Sequence, residues 1–162
     1  MAAGMKEMMM RHARAGSVAW IGLRPARRAH MIEAEACAVG LSGLEGDRGR
    51  KGKRAVTLIQ EEHLAVIAAL LGREVVPGVL RRNIVVSGIN LAALRGEQLQ
   101  IGSAVLELTV PCHPCSRMEE ALGAGGYSAM REHGGMCAQV IQPGEIKLGD
   151  AVGLYRHANA PG

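Results

Sequence analysis

Only one stretch of this chain keeps a helical period. Elsewhere glycine interrupts short runs in which apolar and polar residues alternate. From Gln60 onward, Leu64, Ile67, Ala68 and Leu71 fall at i, i+3, i+4 and i+7, Glu61 and Glu62 occupy the first turn, and Gly72 lies just past the end. That spacing predicts a helix. The alternating runs predict strands at 17–23, 31–39, 55–59 and 83–86, and a hairpin over 99–108 turning at Gly102-Ser103. Ile146 to Val152 repeats the hairpin's pattern, which predicts the same strand-turn-strand device a second time. Between Ser116 and Gly135, glycines 123, 125 and 126 leave room for one or two short helices. Many short strands with one clear helix predict a mainly β barrel or sandwich with a few peripheral α-helices. No linker divides it.

Composition narrows the classes of function. The 162 residues are 48% apolar, with no Phe and only Trp20, Tyr127 and Tyr155 as aromatics, so the core must be aliphatic. No run approaches the ~18 apolar residues that a membrane-spanning helix needs. The net charge is +4 and arginine dominates the cations, supplying planar forks suited to phosphate and carboxylate. Three aromatics are too few for a base-stacking platform and no DNA-binding motif occurs, so nucleic acid is not an expected partner. The opening Met1 to Arg11 lacks the apolar run of a signal peptide, and reads as the frayed leader of a cytoplasmic protein. In such a compartment Cys-x-x-Cys points to metal, redox or catalytic chemistry rather than a structural disulfide.

The chemistry-bearing residues concentrate in three places. Pro111-Cys112-His113-Pro114-Cys115 follows the hairpin directly, so two thiols sit on a turn stiffened by two prolines, with Arg117 near enough to favour a thiolate. Structural zinc would draw on Cys137 and His133 as lone additional ligands. A thioredoxin-like dithiol would begin a helix, which the prolines and the preceding hairpin fit badly. A single reactive cysteine could serve as nucleophile, sulfur carrier or metal ligand, and two small buried hydrophobes are the plainest account. The second place, Gly43 to Arg54, combines glycines with five cations between Arg48 and Arg54; it suits an anion, or is simply a solvated basic loop. The third, Arg81-Arg82-Asn83, is a rim charge pair or an anion clamp, and Arg131 and His133 are equally open.

Taken in order, Gly-Leu-x-Gly-Asp-Arg (43–48), Arg-Arg-Asn-Ile (81–84), the Leu-x-Ile-Gly hairpin, Pro-Cys-His-Pro-Cys (111–115) and Ile-Lys-Leu-Gly-Asp (146–150) resemble the MOSC domain, named for the C-terminal part of molybdenum cofactor sulfurases. The resemblance spans residues 16–155, with 1–15 and 156–162 as flexible tails. It implies a β-barrel with a cleft around one cysteine that handles sulfur or binds the molybdenum cofactor. By position that cysteine is Cys115, which in the amidoxime-reducing relatives ligates molybdenum. The resemblance also implies that Arg48, Arg82 and Asn83 hold the pterin's phosphate, and extends the cofactor-binding set to Asp47, Arg54, Cys112, His113 and Arg117. The implied activity is reduction of an N-hydroxylated small molecule, with a separate redox or sulfur-donor protein as partner. A non-catalytic module that binds or delivers an anion or pterin phosphate is the alternative, and a structural zinc site the third option. Gly49 stands where relatives often carry His, and Cys112 is not required by the family pattern.

Overall fold

Alternation closes a barrel here. In the computed structural model, which describes residues 2–156, the strands are β1 (Gly16–Leu23), β2 (Ile32–Ala34), β3 (Ala36–Gly40), β4 (Gly43–Leu44), β5 (Val56–Gln60), β6 (Ile84–Ser87), β7 (Gln98–Ile101), β8 (Ala104–Pro111), β9 (Met136–Gln142), β10 (Gly144–Lys147) and β11 (Ala151–Leu154). Seven of them run β11-β7-β8-β9-β5-β6-β1, and β11 pairs back onto β1. Closure removes the exposed edges that an open sheet would present. β2 extends β1, while β10, β3 and β4 form a separate small sheet.

Leu58, Ile84, Leu99, Ile101, Leu106, Leu108, Ala138 and Val152 fill the barrel interior. A second apolar layer lies on the outside of the wall. There Ile59 and Val85 meet residues of the helices α2 (Glu61–Leu71), α3 (Pro77–Leu80), α4 (Ser116–Leu122) and α5 (Gly126–Met130), among them Ile67, Leu80, Met118 and Met130. β5 is therefore buried on both faces, its polar Thr57 and Gln60 included. β5 and β6 pair in parallel, and the chain between them contains α2 and α3.

Three local expectations need correction. The run 31–39 is not one strand: β2 pairs with β1, and β3 joins β10 after a break at Glu35, whose carbonyl accepts from Leu148 N–H. The second strand-turn-strand device is no hairpin, because β10 pairs with β3 while β11 pairs with β7 and β1; its turn passes the chain from one sheet to the other. Within the expected loose leader, Met5–Met9 forms a short helix, α1, that buries none of its residues. The segment 116–135 does hold two short helices, and α2 ends where Gly72 takes up a left-handed conformation. Of the expected C-terminal tail, 157–162 lies outside the described residues.

Candidate functional site

The site is built on the outer face of the wall, from a row of polar residues. Thr57 on β5 lies directly opposite Cys137 on β9. Beside them is Asn83, fully buried, with every polar group of its side chain engaged. Its carbonyl accepts from Thr57 N–H (3.0 Å) and Thr57 Oγ1 (3.2 Å), and its amide donates to Gly22 O (3.1 Å) and Asp47 Oδ1 (3.0 Å). Asp47 in turn accepts from the Arg24 backbone N–H (2.6 Å), from Arg24 Nε (3.1 Å) and Nη2 (2.9 Å), and from Gly49 N–H (2.8 Å). Burial opposes ionisation of this carboxyl, but the hydrogen bonds from Arg24 and Gly49 outweigh it and hold Asp47 below the usual carboxylate range.

The Gly-Asp-Arg and Arg-Arg-Asn motifs thus meet in space, but Asp47 and Asn83 spend their hydrogen bonds on the protein. Their effect is to anchor Arg24 at the surface, where its side chain keeps 15% exposure. Arg48 and Arg117 lie close enough to Arg81 that, with burial and Arg24, their charges lower its pKa. Arg81 is held by the carbonyls of Ala26 and Ala29 and occupies a left-handed conformation, φ 60°. Arg24, Arg48 and Arg117 therefore gather around Arg81, and the Asp47 carboxylate beside them is itself buried and paired.

Arg82 does something different. It is buried, and its guanidinium donates to Gly134 O (2.8 Å), Leu80 O (3.0 Å) and Cys112 O (3.2 Å). No carboxylate pairs with it among the described residues. Cys112 follows Pro111 at the end of β8, and its N–H donates to Gly135 O (2.8 Å). A hydrogen bond from the Cys137 thiol, followed by the charges of Arg82, Arg24 and Arg54, outweighs burial and lowers the Cys112 thiol to about 6. Cys137 moves the opposite way, its thiol raised by that same hydrogen bond and by burial.

Cys112 also lines a hollow of about 110 Å³, with Leu91, Pro111 and Met136 as apolar walls and His63 and Glu132 as polar ones. The His63 ring packs edge-on against His133 at 5.2 Å, and burial followed by the His133 charge lowers its pKa. The glycines before β9 make room for this arrangement. A Cβ on Gly134 would overlap Cys112 O, and one on Gly135 would overlap Leu58 O, with φ at +90° besides. Gly135→Ala combines backbone strain with overlap against a fixed strand, and is expected to lower stability by about 3 kcal/mol in urea unfolding.

Cys115 is exposed, and is the N-cap residue of α4. Only the second thiol of the Cys-x-x-Cys caps a helix, with Pro114 standing before the cap, and the strands on either side, β8 and β9, pair antiparallel, which is not the βαβ setting of a thioredoxin-like dithiol. Nor are both thiols buried hydrophobes: Cys112 is half-buried, and the buried cysteines are Cys37 and Cys137. Zinc finds no ligand set, since no three His, Cys, Asp or Glu side chains converge to hold a metal ion among the described residues. Arg48, Arg54 and His113 are exposed, and Arg117 is half-buried. Sequence reasoning overlooked Arg24, Thr57, His63 and the pairing of Cys137 with Cys112. Arg24 stood in a visibly basic turn, but nothing local distinguished it from Arg27 and Arg28.

A closed seven-stranded barrel, with a cysteine turn at the end of one strand facing a cluster of arginines, defines the class of protein. The MOSC domain model matches residues 28–153, and the chain belongs to that family. Its fold is similar to that of YuaD from Bacillus subtilis (TM-score 0.75, 17% identity, covering 88% of this chain and 98% of that one). It is also similar to YiiM from Geobacillus stearothermophilus (0.72, 19%, covering 89% and 77%) and YiiM from Escherichia coli (0.68, 19%, covering 89% and 72%). No curated protein matches.

Proposed function

We propose that this protein handles the molybdenum cofactor, or the sulfur destined for it, through Cys115. The observation that carries the reading is the gathering of Arg24, Arg48 and Arg117 around Arg81, beside an already paired Asp47, on the side of the barrel where α4 begins. Such a surplus of guanidinium forks fits a phosphate group. The side chains of Arg48 and Arg117 make no hydrogen bond or ion pair among the described residues, so both forks are free to bind one; Arg24 and Arg81 are held in place by Asp47 and by backbone carbonyls. The exposed Cys115 sulfur is a soft donor suited to a soft metal, and lies two residues from Arg117. When bound, the cofactor supplies a centre able to exchange an oxygen atom and two electrons with a substrate.

The finer reading is reduction of an N-hydroxylated small molecule, in which two electrons and two protons convert N–OH to N–H and water. The electrons come from a separate redox protein. With sulfur in place of metal, Cys115 accepts a sulfur atom from a donor protein as a persulfide. No helix among the described residues is long and apolar enough to cross a membrane, and we place the protein in the cytoplasm.

The test is expression with cofactor supply, followed by molybdenum and pterin quantification. Wild type is expected to carry both. Cys115→Ser is expected to lose metal by about tenfold or more because its soft ligand is gone, and the double variant Arg48→Ala/Arg117→Ala to lose pterin and metal together. A Cys115→Ser protein that keeps both favours the delivery module instead. Wild type devoid of pterin, metal and Cys115 persulfide overturns the reading.

A further inference from the structure

The buried Arg82 has no anionic partner among carboxylates, although leaving a buried cation uncompensated is costly. A group able to supply the charge is the sulfur of Cys112, whose thiol the Arg82 charge lowers and whose own carbonyl Arg82 already holds. Strand geometry then supplies a second sulfur. Met136 and Ala138 point into the barrel, so Cys137 between them faces outward. Pro111 pairs with Met136, so Cys112, one residue further, faces outward as well. Opposite Cys112 stands Gly135, which has no side chain, and Cys137 lies two residues further along β9 on the same outer face, near enough to lower the Cys112 thiol. Cys112 lines the hollow of about 110 Å³, which has room for a small molecule.

We infer that Cys112 and Cys137 form a second sulfur site, separate from Cys115, in which a small hydroperoxide entering the hollow oxidises Cys112 and Cys137 then closes a disulfide between β8 and β9. In the first step the Cys112 sulfur attacks one peroxide oxygen. An S–O bond forms, the O–O bond breaks, and the other oxygen leaves as alcohol or water after taking a proton from solvent. The sulfur has lost two electrons and the peroxide has gained them. In the second step the Cys137 sulfur attacks the sulfenic sulfur; the S–S bond forms, and the departing hydroxide takes the Cys137 proton and leaves as water. A small-molecule or protein dithiol restores both thiols by exchange.

The charged and titratable groups around Cys112 are Arg82, Arg24, Arg54 and Cys137, with His63 and Glu132 across the hollow. The cations favour attack, and burial confines it to small oxidants. Cys37, whose thiol burial pushes up, is the internal reference within the same molecule.

The experiment uses the full chain carrying Cys115→Ser, so that its failure is distinguishable from failure of the cofactor reading. Trypsin places Cys112 in the peptide 96–117 and Cys137 in the peptide 132–147. After one equivalent of hydrogen peroxide, the three remaining thiols are expected to fall to one, and mass spectrometry is expected to find those two peptides linked. Cys112 is expected to react about tenfold faster than Cys37 or more. In Cys137→Ala, dimedone is expected to trap a sulfenic acid at Cys112. Recovery of both peptides unlinked under excess peroxide, or oxidation of Cys37 at the same rate as Cys112, overturns the inference; should Cys137→Ala not fold, the linkage result decides alone.

Discussion

Arg82→Ala is expected to lower stability by about 3–5 kcal/mol, because three acceptors lose their donor at once. Three carbonyls, those of Leu80, Cys112 and Gly134, lose their donor together. They belong to three separate segments, so the side chain also ties the chain before β6 to the ends of β8 and β9. Each buried acceptor left without a partner costs about 1–3 kcal/mol, and water entering the gap recovers part of that. Arg82→Lys places one point charge where a planar fork reached three oxygens, and is expected to fall between the two. The measurement is urea unfolding of all three proteins. A midpoint for the alanine variant within error of wild type would mean that the three hydrogen bonds contribute nothing. A second readout separates structure from electrostatics: loss of the Arg82 charge is expected to raise the Cys112 thiol pKa above about 6, visible as a shift of its alkylation profile to higher pH.

Asp47→Ala is expected to cost a similar amount, about 3–5 kcal/mol at pH 7, for the same kind of reason. It strips the partner from Arg24, from Gly49 N–H and from the Asn83 amide at once. Here the pH dependence is diagnostic. The folded protein holds Asp47 below its ordinary value, so its contribution is fully present above the unfolded pKa of about 3.9 and is lost as pH falls through the lower folded value. The gap between wild type and Asp47→Ala in urea midpoint should therefore be wide at neutral pH and close under acid conditions. A gap independent of pH would show that the carboxylate's charge is not what stabilises the network.

Both predictions concern residues whose motifs were legible and whose work was not. Asp47 and Asn83 stand in two of the recognisable motifs and were expected to hold a cofactor. Each instead directs its hydrogen bonds into the protein and acts on the surface only by fixing Arg24. Arg82, expected to face a phosphate, turns inward to three carbonyls. In the function we propose, an anion would meet Arg48 and Arg117 from the expected set, with Arg24 and Arg81 from outside it. The error has a physical cause: a guanidinium fits a backbone carbonyl as well as an anion, and residue type does not state which it meets.

The strands were read from alternation, the helix from its period, and its end from Gly72. These are local signals, carried by neighbouring residues. Of the two expected hairpins, β7 to β8 closes at its Gly-Ser pair, while the look-alike at 146–152 does not, because strand partners elsewhere claim both arms. No residue within the look-alike reports that competition.

By itself the sequence determined a mainly β chain with one firm helix, the family it belongs to, and the proline-stiffened turn that carries two of its four thiols, since alternation, glycine and proline act over a few residues. Only the tertiary structure decided which arginines reach solvent, which thiol meets a buried cation, and that Cys137 is its neighbour. Those choices depend on contacts such as Arg24 with Asp47, Arg82 with Gly134 and Asn83 with Gly22, which join positions 23, 52 and 61 residues apart and exist only once the barrel has closed.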